Sequence, residues 1–328
     1  MTGSERVVHL IATPRARALL GTMNRGYFHF MDRLPPDLAQ FARQRGTYVG
    51  AARGEEIRGL EELNPLISCS PWLFWEIFES VDDLSFATVA LAGACLSLSS
   101  GVMDKLVDGE AHPLHTFLLL YEGLSQHASH GFRDVLGPRP TFWREFDRLG
   151  EEYWRCLAAE VACRESPSSL TLDAFVEFSG GKVSPIVVTI AAFAEMAGCG
   201  DLVPLIEQSF RMTFAAGQLH DDILDWHGDA TSGHLTYFLT QLVPNGEWAD
   251  ASDRALAAGR HLQEEWTDVE LFGEALNLYD QATVCVRGLP CPSWEAYLKA
   301  YKARAEEDRR LAMARHLQRV VARPASSD

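Results

Sequence analysis

Four aspartates lie at helical spacing within residues 218–229 of the chain. At 100° per residue, Asp221, Asp222, Asp225 and Asp229 fall within an arc of about 100° on one helix. Like charges held this close repel one another, so such a face favours binding of a cation. Carboxylate oxygens are hard ligands that suit Mg²⁺, and Mg²⁺ commonly also binds a phosphate. The segment therefore predicts a magnesium and phosphate site, with a solvated acidic helix face as the plainer alternative.

A second acidic pair, Asp104 and Asp108, follows the uncharged stretch 86–103. Residues four apart share a face of a helix, so the two carboxylates point the same way. A charge pair at the end of an apolar helix fits a site at the mouth of a bundle cavity. Taken alone, the pair is more typical of a helix that emerges into solvent.

Between the two acidic segments lies Lys182, directly after Ser179-Gly180-Gly181. We interpret this stretch as a glycine-rich turn at a helix start, where a lysine and unbonded backbone N–H groups together contact phosphate. The Walker pattern GxxxxGK[ST] is absent, so a P-loop nucleotide site is not indicated.

The composition limits the partners of the chain. Its 328 residues carry a formal net charge of −16, which disfavours nucleic acid and anionic lipid as partners. Seven cysteines, an odd number without paired metal-type spacing, favour reduced thiols in the cytoplasm. The N-terminus shows no signal-peptide pattern, so we expect a cytoplasmic protein.

The pattern of apolar residues predicts helices nearly throughout. Residues 144–164 show helical periodicity, and a long charged helix is expected to start after Pro292 and to reach about Val321. Stretches 86–103 and 183–200 are read as core helices, so no integral membrane span is expected. Turns are expected at Leu34-Pro35-Pro36, Gly137-Pro138-Arg139-Pro140, Ser179-Gly180-Gly181 and Val243-Pro244-Asn245-Gly246.

The predicted architecture is a single all-α domain over residues 1–328, with roughly ten to thirteen helices and residues 322–328 as a frayed tail. Alternating runs that indicate strands are scarce, and no internal repeat or interdomain linker stands out.

With these segments, the chain resembles the trans-isoprenyl diphosphate synthase and class I terpene synthase superfamily. Residues 218–225 resemble the second aspartate-rich motif of that family, including the glutamine before the aspartate pair, here Gln218. Residues 104–108 resemble the first motif, with Lys105 in place of its second aspartate, and also the DxxxD form of squalene and phytoene synthases. Gly181-Lys182 resembles the lysine motif that contacts diphosphate.

The resemblance implies an all-α bundle with a central apolar cavity, an allylic prenyl diphosphate substrate, several Mg²⁺ ions and a homodimer. The implied metal ligands are Asp104, Asp108, Asp221, Asp222 and Asp225. Ionisation of the allylic C–O bond would be assisted by the metal ions, and Lys182 would stabilise the departing pyrophosphate. Gln218 would contact the substrate.

Departures from the family pattern concern the second substrate. The Gly-Lys-Arg near the N-terminus and the Arg-Arg-Gly after the first motif, which hold isopentenyl diphosphate, are absent; Gly109-Glu110-Ala111-His112 follows Asp108. We therefore favour a terpene synthase or cyclase that uses one allylic diphosphate. The NSE metal motif of terpene synthases is also missing, so two alternatives stay open: a prenyltransferase with a non-isopentenyl acceptor, and a prenyl diphosphate synthase.

In the family, the residues four and five positions before the first aspartate limit the length of the prenyl chain. Here they are Ser100 and Ser99. Because both are small, we expect a deep cavity that accepts a C15 or longer substrate.

Two readings from other classes remain. Some superfamily members are non-catalytic partner subunits, and Lys105 within the first motif favours that reading, whereas the intact second motif opposes it. The pair His220-Asp221 also fits helical HD-domain phosphohydrolases, which would need further histidines such as His112, His115, His127 or His130. The carboxylate-rich surroundings favour Mg²⁺ and make His220 a neighbour of the site.

Overall fold

A computed structural model describes residues 13–48, 55–165, 170–242 and 251–322. These ranges contain fifteen α-helices and no β-strand, apart from one isolated bridge between Gln44 and Glu56, so the predicted all-α class is confirmed. The helices are α1 (Pro14–Asp32), α2 (Pro36–Arg43), α3 (Pro65–Ser68), α4 (Ser70–Leu73), α5 (Trp75–Phe78), α6 (Asp83–Val107), α7 (Leu114–Leu136), α8 (Pro140–Glu165), α9 (Leu172–Gly181), α10 (Ser184–Ala197), α11 (Val203–Ser232), α12 (Tyr237–Leu242), α13 (Ala251–Glu264), α14 (Thr267–Cys285) and α15 (Pro292–Ala322).

The helix count exceeds the ten to thirteen that the sequence predicts. Three of the additional helices, α3 to α5, have only four residues each and follow one another between positions 65 and 78. One helical turn is too short to show a 3.6-residue period, so sequence periodicity does not reveal it. The long helices agree well: α8 contains the predicted 144–164, and α15 begins at Pro292 and ends one residue beyond Val321.

Two predicted turns are confirmed, and a third is wrong. Residues 34–35 separate α1 from α2, and residues 137–139 separate α7 from α8. Gly180 and Gly181, however, lie inside α9. The predicted turn at 243–246 and residues 323–328 of the predicted tail lie outside the described residues.

By its internal contacts the chain divides into two compact units. The first comprises 1–152, 184–206 and 288–297, and the second comprises 153–183, 207–287 and 298–328. Each unit is described by itself below. The single domain over residues 1–328 remains a prediction.

The first unit is organised around α6. Its buried face is rich in alanine, glycine and serine, which lets neighbouring helices approach closely. At Gly93 a β-carbon would lie 2.1 Å from Thr189 Oγ1 on α10, so only glycine fits there. Near the N-terminal end of α6, Phe86 packs edge-on against Phe193 and Trp72, with ring centroids 4.7 Å and 5.1 Å apart.

Helix α6 is long and apolar enough to cross a membrane by length and composition. Its most apolar window is, however, 67% buried inside the protein, which is typical of a core helix. In α10 every residue from Ser184 to Ala194 is buried. Both stretches therefore agree with the core helices that the sequence predicts.

The second unit has its own hydrophobic core. Leu219 and Ile223 of α11 contribute to it, together with Phe238 of α12 and Phe272 of α14. The other side of α11 carries the acidic segment, so this helix links the core of the second unit to the candidate site.

Candidate functional site

The acidic segment lies on one continuous helix, as predicted. Helix α11 runs from Val203 to Ser232 and ends at Gly233, whose φ of 86° is in the left-handed region. The N–H groups of Gly233 and His234 both donate to Asp229 O, which satisfies a carbonyl at the helix end. All four aspartates therefore lie on the C-terminal half of a well-terminated helix.

Asp222 is the buried member of the acidic cluster. Only 4% of it is exposed, and Gln218 Nε2 donates to Asp222 Oδ1 at 2.7 Å from one turn earlier. A glutamine is uncharged, so it orients the carboxylate without neutralising it. Gln218 and Asp222 are thus hydrogen-bonded to each other on one helix, and their roles toward substrate and metal stay predictions.

Burial raises the pKa of Asp222 to about 8, because the ionised carboxylate loses its hydration inside the protein. The hydrogen bond from Gln218 opposes this shift, and the nearby carboxylates of Asp229, Asp221 and Glu160 add to it. The metal-free cluster therefore holds negative charge poorly, which is the electrostatic condition that a bound cation relieves.

Asp221 and Asp225 are on the exposed side of the same helix. The pKa of Asp221 is raised, first because surrounding protein displaces water and then through repulsion by Asp225, while His220 and Arg304 lower it. The residue Asp221 as a whole is exposed to solvent. Its carboxyl group is nevertheless surrounded closely enough by protein that loss of hydration is the largest influence on its pKa. Arg304 of α15 is a cationic neighbour that the sequence analysis missed.

His220 faces away from the acidic side and is buried. Its Nε2 lies 2.8 Å from Asp308 Oδ2 on α15, and its ring packs edge-on against Phe272. This pair joins α11 to α15, in agreement with His220 as a neighbour of the site.

Lys182 occupies a different local structure from the one predicted. It is the C-cap of α9, and its own N–H donates to Phe178 O and Ser179 O, so that N–H is already bonded within the helix end. The glycines serve packing instead, since a β-carbon on Gly180 would lie 3.0 Å from Arg211 O on α11. The predicted glycine-rich helix start is therefore wrong.

The side chain of Lys182 nevertheless reaches the site. Lys182 Nζ lies 2.8 Å from Glu160 Oε2 on α8, and both side chains are nearly buried, 10% and 14% exposed. Glu160 in turn lies near enough to Asp222 to raise its pKa. The structure thus brings Lys182, Asp222 and Gln218 into one cluster, and Glu160 connects them.

Glu160 is the main site residue that the sequence analysis missed. It follows Tyr153 by seven residues, so it lies on the apolar face of α8 that Tyr153 and Leu157 define. A carboxylate on an otherwise apolar helix face is the sequence feature that could have identified Glu160.

A small cavity of about 20 Å³ lies among these groups, large enough for one water molecule. Glu160, Gln218 and Asp222 line it on one side. Phe175 and Tyr237 line another, with their rings stacked at 5.1 Å. The site therefore combines carboxylates with an aromatic wall. The central apolar cavity expected from the sequence remains a prediction.

Comparison with solved structures identifies the architecture. A geranylgeranyl pyrophosphate synthase from Lactobacillus brevis superposes with a TM-score of 0.66 at 13% identity, covering 89% of this chain and 97% of that one. A geranylgeranyl pyrophosphate synthetase from Pyrococcus horikoshii gives 0.64 at 16% identity, covering 92% and 98%. A polyprenyl synthetase from Streptomyces coelicolor gives 0.57 at 14% identity, covering 87% and 99%.

The chain has the trans-isoprenyl diphosphate synthase fold. No family model and no curated protein matches the sequence, so this conclusion rests on the three-dimensional likeness. At 13–16% identity the likeness establishes the fold, and the chemistry has to be argued from the residues.

Within this fold, the first acidic pair ends α6 as predicted. Asp104 lies in the last turn and Asp108 is the C-cap residue, whose N–H donates to Asp104 O at 2.9 Å. Lys105, which replaces an aspartate of the motif, donates from Nζ to Gly46 O at 3.2 Å. This lysine therefore has a structural contact within the first unit.

Ser99 and Ser100 precede that pair on α6. Ser99 is 2% exposed and donates to Leu96 O, and Ser100 donates to Ser97 O. Both hydroxyls are thus bonded to the carbonyls of their own helix. The role of these serines in substrate length remains a prediction.

The described residues contain no group of three or more His, Cys, Asp or Glu side chains arranged to hold a metal ion, so Mg²⁺ binding by the carboxylates of the second unit stays a prediction. Mg²⁺ in phosphate-transfer sites usually keeps several waters and uses one or two carboxylates together with substrate oxygens. Asp222, whose pKa is raised first by burial and then by nearby carboxylates, and its neighbours Asp221 and Asp225 are the carboxylates that would serve.

Proposed function

We propose that this protein is a Mg²⁺-dependent isoprenoid enzyme that ionises an allylic prenyl diphosphate, C15 or longer, and releases pyrophosphate. The observation that carries the proposal is the cluster around Asp222. It combines a buried carboxylate of raised pKa, its partner Gln218 and the ion pair of Lys182 with Glu160.

Asp221, Asp222 and Asp225 would hold Mg²⁺ in the second unit, and Asp104 and Asp108 in the first. When bound, Mg²⁺ neutralises the diphosphate and makes it a better leaving group. Gln218 would hold the Asp222 carboxylate in place through its 2.7 Å hydrogen bond.

Lys182 provides a cation on the protein side. In the absence of substrate, its ammonium group is paired with Glu160 in a nearly buried position. An arriving diphosphate, which carries more charge than one carboxylate, competes with Glu160 for the ammonium hydrogens. We expect Lys182 to donate to the departing pyrophosphate, where preorganised charge stabilises the transition state.

The aromatic wall favours a carbocation over water. Phe175 packs against Phe178 at 5.7 Å and against Tyr237 at 5.1 Å, beside the buried carboxylates. Aromatic faces attract cations, and an apolar wall limits access of water. These residues would thus protect an allylic cation from hydrolysis.

For the fate of the cation, we favour cyclisation or proton loss, as in a terpene synthase. Support comes from the sequence after Asp108, where Gly109-Glu110-Ala111-His112 supplies no basic residue for a second diphosphate. The second candidate is prenyl transfer. It is favoured by the prenyl diphosphate synthases among the solved structures with this fold.

The test uses the purified full chain with Mg²⁺ and C10, C15 or C20 allylic diphosphates, each with and without isopentenyl diphosphate. We expect Mg²⁺-dependent pyrophosphate release with C15 or C20 alone, and hydrocarbon or cyclic alcohol products. Products lengthened by five carbons only when isopentenyl diphosphate is present would identify prenyl transfer instead. Absence of pyrophosphate release from every substrate would overturn the proposal.

Three variants assign the site. Asp222→Asn removes a metal-binding charge and is expected to lower kcat/KM by at least about a hundredfold. Glu160→Gln removes the carboxylate that pairs with Lys182, so we expect KM for the diphosphate to fall, whereas Lys182→Gln should raise it. Asp147→Asn, an exposed carboxylate on α8, is the matched control and should retain full activity.

A further inference from the structure

A second, larger cavity lies elsewhere in the second unit. Its volume is about 570 Å³, and it shares no lining residue with the cavity at Asp222. Leu224 and Trp226 of α11 supply accessible apolar surface to it, and the buried residues Ile223, Phe238, Leu262 and Phe272 also line it. Ligand pockets commonly measure about 300–1,000 Å³, so this cavity has room for a small organic molecule.

Two arginines border this cavity. Arg315 and Arg319 are four residues apart on α15, and therefore lie on the same face of that helix. Arg319 Nη1 donates to Leu262 O at 2.5 Å, which fixes the guanidinium at the cavity wall. Arg315 is exposed to solvent. Guanidinium groups bind carboxylate and phosphate through paired N–H donors, so this rim matches an anion.

Among the described residues that line this cavity, Asp268 is the one carboxylate, and it is engaged by the protein. Asp268 Oδ1 lies 2.7 Å from His316 Nε2 and accepts a hydrogen bond from Val269 N at 2.9 Å. The His316 ring is stacked on Trp266 with centroids 4.8 Å apart, so this arrangement is firmly packed. Asp268 is thus bonded to groups other than the arginines, and the described residues of the lining, with two arginines and one aspartate, carry a net positive charge.

We propose that this cavity binds an amphiphilic anion. Its hydrocarbon body would pack against the apolar wall, and its carboxylate or phosphate head would be held by Arg315 and Arg319. A basic rim of this kind contrasts with the chain as a whole, whose net charge is −16. The pairing of the two features, an apolar wall and two guanidinium groups at one edge, defines the ligand class.

The site is distinct from the candidate active site on the same helix. Asp222 and Gln218 point into the smaller cavity, whereas Ile223 and Trp226 line the larger one. The successive residues Asp222 and Ile223 are 100° apart on α11, so a ligand in the larger cavity packs on a different side of the helix from the acidic cluster.

The test measures binding of decyl phosphate, decanoate and neutral 1-decanol to the full chain by calorimetry, with EDTA present. We expect both anions to bind at least about tenfold more tightly than the alcohol, because a guanidinium forms charge-assisted hydrogen bonds with an anionic head group and not with a hydroxyl. Tighter binding of one anion would show whether the physiological head group is a phosphate or a carboxylate. Equal affinity for the alcohol and the anions would overturn the role of the arginines.

Gly259 of α13 provides a variant that fills the cavity. A β-carbon at this position would lie 3.6 Å from Trp226 Cη2, an ordinary contact, and a longer side chain would extend into the cavity. We expect Gly259→Leu to abolish binding while leaving the melting temperature unchanged or higher, since leucine favours a helix more than glycine does. Unchanged binding in this variant would place the ligand elsewhere.

Charge variants complete the test. Arg315→Gln with Arg319→Gln should weaken binding of the anions about tenfold and leave binding of the alcohol unchanged. Arg310→Gln is the matched control, because Arg310 is on the same helix but pairs with Glu307. Lys182→Gln should bind the anions as the unaltered chain does; weaker binding would mean that the anion occupies the candidate active site, and would overturn the proposal.

Discussion

At the scale of single residues, the sequence predicted the carboxylates of the site better than the cation beside them. The placement of Asp222 and Gln218 on one helix was predictable, because aspartates at helical spacing must share a helix face. The environment of Lys182 was not, because a glycine pair is compatible both with a turn and with close helix packing. The contact of Gly180 with Arg211 decided in favour of packing. Glu160 was missed because its partner is distant in sequence.

The raised pKa of Asp222 predicts a pH-dependent stability. The folded state prefers the protonated carboxyl group, so this contribution is fully present below a pH of about 4 and is lost as pH rises through about 8. Asp222→Asn imitates the protonated form. We expect it to match the unaltered protein near pH 4 and to be more stable by a few kcal/mol near pH 8.

Thermal melts between pH 4 and pH 9, in EDTA, measure this difference. Asp147→Asn, at an exposed carboxylate on α8, is measured alongside as the control for an Asp-to-Asn substitution outside the site. A difference between Asp222→Asn and the unaltered chain that is constant across the range would contradict the burial of an uncompensated carboxylate.

At the scale of elements, long helices were predictable and short ones were not. Helices α8, α10 and α15 matched because amphipathic or apolar patterns over 14 to 31 residues leave little choice of structure. The one-turn helices α3 to α5 depend on tertiary packing, since Trp72 and Phe74 within that stretch are fully buried. Local sequence carries no signal for such contacts.

The predicted preference for long prenyl substrates depends on two residues of helix α6. Ser100 is half-buried, whereas Ser99 is 2% exposed, so a phenylalanine at 99 is expected to overpack the core and cost about 1–3 kcal/mol. Ser100→Phe is therefore the informative variant. We expect it to reduce kcat/KM for C20 relative to C15 substrates by at least about tenfold.

Relative kcat/KM for the two substrates, measured by pyrophosphate release, checks this expectation. Ser100→Ala keeps the side chain small and should leave the ratio unchanged. An unaltered ratio in Ser100→Phe, with a normal melting temperature, would show that this position does not limit the prenyl chain.

At the scale of the whole molecule, the fold was predictable because its motifs and its helical pattern agreed. The division into two compact units was not, since each is assembled from three separate stretches of chain and no linker marks a boundary. The sequence likewise says little about assembly, for which the resemblance to the synthases implies a homodimer.

Helix α7 carries the surface that we expect to mediate this dimer. Leu114, Leu118 and Leu119 are 56%, 48% and 60% exposed, and no charged residue precedes Glu122 on that helix. Exposed leucines grouped in the uncharged first two turns of a helix favour burial against another protein surface, and a second copy is always present. Light scattering should therefore give twice the chain mass of 36.4 kDa.

Leu118→Asp should give the monomer, whereas Leu84→Asp, at a 78% exposed leucine on α6, should remain dimeric. If the unaltered chain is a monomer at tens of micromolar, the leucines of α7 do not form a dimer interface.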